Sequence, residues 1–139
     1  MSDVFDSKKR SWIMSRVKNR DTAPEKIVRS LIHRMGFRFR LHSIRLPGKP
    51  DIVLQRHKKV VMVHGCFWHG HEGCGRGNQP SSNKEFWAEK IRKNRSRDSE
   101  VRKQLELLGW SVLTVWQCET RAKASEQLEQ RIRGFLGKR

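Results

Sequence analysis

No stretch of the chain approaches the roughly 18 consecutive apolar residues that a membrane-spanning helix needs, so no span is expected. Its first residues carry no apolar core of the kind that heads a secreted chain, and a soluble, cytoplasmic protein is expected. Cysteine is scarce and odd in number, three in 139 residues. That count argues against a disulfide framework and leaves free thiols or metal ligands. Acidic residues are few as well, 14 Asp and Glu against 31 Lys and Arg, for a formal net charge of +17. There is no internal repeat and no low-complexity segment.

What remains is a foldable, strongly basic chain. With 35% hydrophobic residues it can build one core, and its length fits one domain over 1–139 with a basic helical arm over about 1–20. The mean hydropathy of −0.80 reflects a polar surface, and the isoelectric point near 10.9 is the electrostatic footprint of a nucleic-acid binder.

The hydrophobic pattern predicts a short basic helix over 6–18. A second follows, opened by the capping-box-like Thr22-Ala23-Pro24-Glu25 and ended by Gly36. Phe37 to Leu41 alternates as a half-buried strand, and Asp51 to Leu54 and Val60 to Val63 read as a hairpin with a fully buried second strand. Residues 65–82 form a Gly-rich loop. A long helix is predicted over about 83–108, capped by Ser81 or Ser82, then a strand from Trp110 to Trp116 and a last amphipathic helix carrying Leu128, Ile132, Phe135 and Leu136. The order predicts an α/β fold, a small mixed sheet flanked by helices.

The densest chemistry lies between Val63 and Cys74, which holds three histidines, two cysteines and two aromatics. Cys66, His71 and Cys74, joined by Cys118 just after the last strand, make the Cys₃His set that structural Zn²⁺ favours. The alternative is three inert thiols and a loop histidine, and either His69 or His64 can replace His71. Asp51 follows a Pro-Gly-Lys-Pro turn at a sheet edge, where a carboxylate can hold Mg²⁺. A turn-forming Asp is the plainer reading. Glu25 is explained by capping alone, and His64 and His69 can move protons or do nothing.

Phe67 and Trp68 sit on the same loop and Trp87 opens the long helix, so all three offer flat faces to DNA. Phe86, Trp110 and Trp116 are expected in the core. Trp87, Lys90 and Asn94 share one helix face, placing a cation and an amide beside a stacking group. Met14 on the first helix is a candidate for the minor groove, with core packing as its alternative.

Asp21-Thr22-Ala23-Pro24-Glu25, Leu46-Pro47-Gly48-Lys49-Pro50-Asp51, His64-Gly65-Cys66-Phe67-Trp68-His69, Glu85-Phe86-Trp87 with Lys90 and Asn94, and Leu108-Gly109-Trp110 with Trp116 and Cys118 occur in an order that resembles the very-short-patch repair endonucleases. The resemblance runs from Ser11 to about Cys118. It implies a restriction-endonuclease-like fold and nicking of double-stranded DNA on the 5′ side of the thymine in a T·G mismatch, starting repair of deaminated 5-methylcytosine. It further implies Mg²⁺ on Asp51 with the backbone carbonyl of Val63, acid–base chemistry by His69, support from Glu25 and His64, and structural zinc on Cys66, His71, Cys74 and Cys118. Lys90 and Asn94 would recognise the mispaired bases. The family often has Thr where this chain has Val63, a change a backbone ligand tolerates.

A bacterial monomer, nucleoid-associated when on DNA and working beside unidentified repair proteins, is expected. Two other readings stay open. One is a nuclease of the same fold that cuts matched or context-specific duplex, and the other is a zinc-stabilised DNA-binding protein without catalysis.

Overall fold

A computed structural model of the chain describes residues 22–71, 74 and 83–137. The predicted first helix, and with it Met14, lies outside the described residues, as do Ser81 and Ser82. Helix α1 (Ala23–Arg34) starts where Thr22 Oγ1 accepts the Glu25 N–H at 3.3 Å, and Gly36 closes it in the left-handed conformation. Strands β1 (Arg40–Leu41), β2 (Ile52–Leu54) and β3 (Lys59–His64) follow, then α2 (Lys84–Leu107), β4 (Ser111–Trp116) and α3 (Ser125–Leu136).

The sheet order is β1-β2-β3-β4. The first two pairings are antiparallel, and β3 and β4 run parallel with α2 as the crossover between them. Period-two alternation splits the strands between two cores. Ile52, Leu54, Val61, Leu113 and Val115 face Val28, Ile32, Leu128, Ile132 and Leu136 of α1 and α3, while Val53, Val60, Met62 and Val112 face Leu105 and Trp110 at the end of α2. The result is a mixed sheet between helical layers, the α/β class expected. Lys59 ties its strand to α3 by donating to the terminal carbonyls of Phe135 and Leu136 at 2.7 and 3.0 Å, where a cation also complements the helix dipole.

Three local expectations change. The strand read from Phe37 to Leu41 pairs only at Arg40 and Leu41, because Phe37 is drawn into the core against His57 and its N–H returns to the Ile32 carbonyl. The N-cap position of the long helix falls on Asn83, left-handed (φ 57°) and without a side-chain cap bond. Phe86, expected in the core, is 43% exposed, and its neighbour Trp87 takes the buried position.

The loop before β2 is fixed by a close approach. Gly48 has φ +74°, and a Cβ there would lie 2.4 Å from a Val101 methyl on α2. Gly48→Ala should therefore cost roughly 1–3 kcal/mol from overpacking and left-handed strain. Urea denaturation would measure it, and an unchanged midpoint would mean the loop is not held against α2.

Candidate active site and metal centre

Because β2 and β3 are antiparallel, the start of one and the end of the other meet at a single edge of the sheet. Asp51 stands one residue before β2 and its Oδ2 accepts the Val63 N–H at 2.7 Å. Burial pushes its carboxyl up to about 7, with Glu25 adding to the rise and the Val63 N–H and His42 opposing it. Glu25 is itself only 2% exposed. Its carboxylate is bonded to Arg29 and, at 2.7 Å, to His42 Nε2, so capping is not its whole role. Donor atoms of Glu25, His42 and Asp51 all lie within 4.8 Å of one another. A buried and a half-buried carboxylate with an imidazole at this spacing fit a divalent cation.

Across the same cleft, of about 1070 Å³ and lined by both Asp51 and His69, the rings of His64 and His69 stack at 3.9 Å. His69 Nδ1 is 2.6 Å from Asp98 Oδ2 on α2. Burial, followed by the neighbouring His69, drives His64 down to about 4, so it is neutral at physiological pH. With Nδ1–H given to a carboxylate, His69 is held in the tautomer that leaves Nε2 to accept a proton. Asp98 and His42 were not among the candidates read from the sequence. Asp98 lies in a highly charged helix segment where any acid reads as solvated, and His42 follows a strand with nothing in its neighbours to mark it.

The Gly65–His71 loop is a tight turn closed by bonds from the His69 N–H to Gly65 and the His71 N–H to Cys66. Gly70 (φ +61°) brings it against Ile91 and Arg95 of α2, where a Cβ would meet Ile91 at 2.4 Å. This turn carries Cys66 and His71 toward Cys118, one residue pair beyond the end of β4, and the donor atoms of Cys66, His71, Cys74 and Cys118 cluster within 4.8 Å. Cys118 Sγ and His71 Nδ1 are 3.6 Å apart. Two ligands of tetrahedral zinc at ordinary bond lengths are separated by about 3.5 Å, so the set fits that ion. Burial and the sulfurs of Cys66 and Cys74 push the Cys118 thiol up to about 12. Three thiolates this close need a cation's charge beside them. His64 and His69 turn toward Asp98, which leaves His71 as the histidine of the cluster; its ring stacks on Trp116 at 4.1 Å.

Phe67, Trp68 and Trp87 form one aromatic group with centroids 5.1–6.2 Å apart. Trp87 is 6% exposed, so it buttresses the loop rather than presenting a free face, while Phe67 and Trp68 are half-buried. Asn94 Nδ2 donates to the Trp68 carbonyl at 2.6 Å, and Lys90, one turn earlier on α2, is half-buried.

The model of the family described as DNA mismatch endonuclease Vsr matches residues 2–76. The chain belongs to the Vsr DNA mismatch endonuclease family. A type II nicking enzyme of Neisseria meningitidis, V.NmeAIP, is 45% identical over 96% of each chain. V.XorIIP, a type II nicking enzyme of Xanthomonas oryzae pv. oryzae, is 46% identical over 98% of each. The DNA mismatch endonuclease Vsr of Escherichia coli is 41% identical over 98% of this chain and 88% of that protein.

This Vsr-family chain is thus an endonuclease, a hydrolase acting on DNA, and its sheet flanked by helices is consistent with a restriction-endonuclease-like fold. A nuclease of this family implies a divalent metal ion, for which the structure offers two well-formed donor groups besides the His64, His69 and Asp98 cluster. No helix among the described residues is long and apolar enough to cross a membrane.

Two outcomes follow from this geometry. Purified protein should hold about one zinc per chain by elemental analysis, and Cys118→Ser should lose it; full zinc occupancy in that variant would move the fourth ligand elsewhere. His69→Ala should slow single-turnover nicking by a factor of about 10²–10⁴. Asp98→Asn should slow it by a smaller factor through loss of the tautomer-fixing acceptor, and wild-type rates in both would remove the pair from the chemistry.

Proposed function

We propose that this endonuclease nicks one DNA strand on the 5′ side of the thymine in a T·G mismatch, with Mg²⁺ at Asp51, and so begins very-short-patch repair of deaminated 5-methylcytosine. The observation that carries the reading is one cleft lined by the Asp51 carboxylate, which has buried Glu25 beside it, and by the His69 imidazole paired with Asp98. The names of the relatives, mismatch endonuclease and nicking enzyme, support cleavage of a single strand at a mispair.

Asp51, with the Val63 carbonyl, would hold the divalent cation, which would supply charge to offset what builds on the phosphate oxygens during displacement. The remaining work falls to side chains. His69 Nε2 takes the proton of the attacking water while Asp98 steadies the imidazolium that forms through Nδ1. Stacked on it, neutral His64 fixes the plane of that ring and adds no competing charge. Glu25, held by Arg29 and His42, keeps a second negative charge near Asp51.

Substrate choice rests on unequal costs. Opening a base step costs roughly a few kcal/mol, and less at a wobble pair. Phe67 and Trp68 are the partly exposed faces available for insertion, with Trp87 behind them and Lys90 and Asn94 on the adjacent helix face to meet the mispaired edges, while Met14, outside the described residues, is a candidate for the minor groove. The remaining cations of a chain at +17 hold phosphates without reading sequence. The structural zinc on Cys66, His71, Cys74 and Cys118 keeps the inserting loop rigid enough to transmit that strain.

Nicking of T·G and matched C·G duplexes by wild type and variants, alongside salt-dependent binding, tests the reading. Asp51→Ala should abolish nicking yet keep most DNA affinity, which comes from counterion release. Trp68→Ala should slow T·G cleavage far more than it weakens nonspecific binding. Equal cutting of matched and mismatched duplex would instead establish a restriction-type nuclease of the same fold.

A further inference from the structure

We infer that His42 is a direct nitrogen ligand of the catalytic cation, which makes the Glu25, His42 and Asp51 cluster a mixed nitrogen and oxygen site. The inference rests on the assignment of Asp51 as a cation ligand and adds to it a residue from a different part of the chain. Three observations carry it.

The first is distance. His42 Nε2 lies 2.7 Å from Glu25 Oε1, and both fall within 4.8 Å of the Asp51 carboxylate. Neighbouring ligands of an octahedral cation with bonds of about 2.1 Å are about 3 Å apart, so the imidazole stands close to where a bound ligand atom would. The second is backbone conformation. His42 has φ 47°, uncommon for a residue with a side chain, and its N–H donates to the Asp51 carbonyl at 3.1 Å. The β1–β2 ladder thus extends by one bond and then the chain turns sharply, which swings the imidazole over the carboxylates. Such strain persists only where the surroundings hold it, and it concentrates at functional positions.

The third is charge. Two carboxylates with only 2% exposure at one of them sit beside Arg29, and His42 lines the cleft with Asp51. With Arg29 on Glu25, a doubly charged cation already carries the set past neutrality, so a neutral imidazole supplies a ligand atom without adding further positive charge. It gives up its contact with Glu25 and offers the Nε2 lone pair, its proton moving to Nδ1. Mg²⁺ prefers oxygen, whereas affinity for a site containing imidazole rises along the first-row ions from Mn²⁺ to Co²⁺. His42 therefore widens the range of ions the site accepts.

The test uses the zinc-loaded protein, so that His71 is already committed, with Mn²⁺ as the probe. Electron spin-echo envelope modulation of the bound Mn²⁺ should show a directly coordinated ¹⁴N. The signal should vanish in His42→Asn, which tolerates the left-handed backbone and keeps a donor for Glu25 but has no imidazole. That variant should also lose about tenfold or more in Co²⁺ affinity while Mg²⁺ affinity changes much less. Zinc content and circular dichroism report whether it folds. Mn²⁺ bound in an Asp51-dependent manner without ¹⁴N coupling in the wild type, or with coupling unchanged in His42→Asn, overturns the role of His42 alone. Mn²⁺ binding that survives Asp51→Ala overturns the cation site itself, and His42 with it.

Discussion

Six consecutive parallel pairs, from Lys59 opposite Ser111 to His64 opposite Trp116, hold β3 and β4 in one register. The histidine and cysteine clusters beyond the sheet hang from the far end of that pairing. His64 is the last residue of β3, Cys66 leaves it two residues on, and Cys118 leaves β4 at the matching distance. A slip of one residue would invert the faces of the strand and carry Cys118 away from the loop it meets. The packing that forbids the slip is ordinary. Val61 and Val115 are fully buried against α1 and α3, while Val60 is fully buried against the other layer.

Charge is distributed to the same end. A chain at +17 with only 14 acidic residues gathers Glu25, Asp51 and Asp98 around one cleft. Two of them are matched to basic partners: Arg29 and His42 for Glu25, and His69 for Asp98. Asp51 has only a backbone N–H and its neighbours, and its raised pKa marks it as the group least provided for by the protein alone. In a field this positive, a local negative pocket repels the substrate's phosphates unless a cation stands between them.

The sequence made some of this readable and concealed the rest for definable reasons. Local spacing exposed three of the four zinc-type ligands, and Cys118 could be added because a strand plainly ended just before it. Helix periodicity and end signals placed α1 and α2 to within a residue or two, and periodicity named the residues that α3 buries. His42 was hidden because its importance comes from a backbone angle, which no neighbouring residue announces. Asp98 was hidden because α2 is charged nearly all round, so no apolar stripe shows which acids turn inward. The same ambiguity exchanged Phe86 and Trp87: adjacent aromatics on a helix point about 100° apart, and only the docked face decides which is buried.

Asn94 and Asp98 are one helical turn apart on α2, the first holding the Trp68 carbonyl and the second the His69 ring. On the roles proposed for them, the loop offered to DNA and the imidazole offered to water are therefore fastened to consecutive rungs of one stiff rod, with Gly70 pressed against Ile91 on the same rod. Any displacement of Trp68 is felt at His69 with no intervening hinge. If the loop chooses the base pair as proposed, fidelity and turnover are not separate traits that drift independently: a lineage that reshapes this loop also resets its rate.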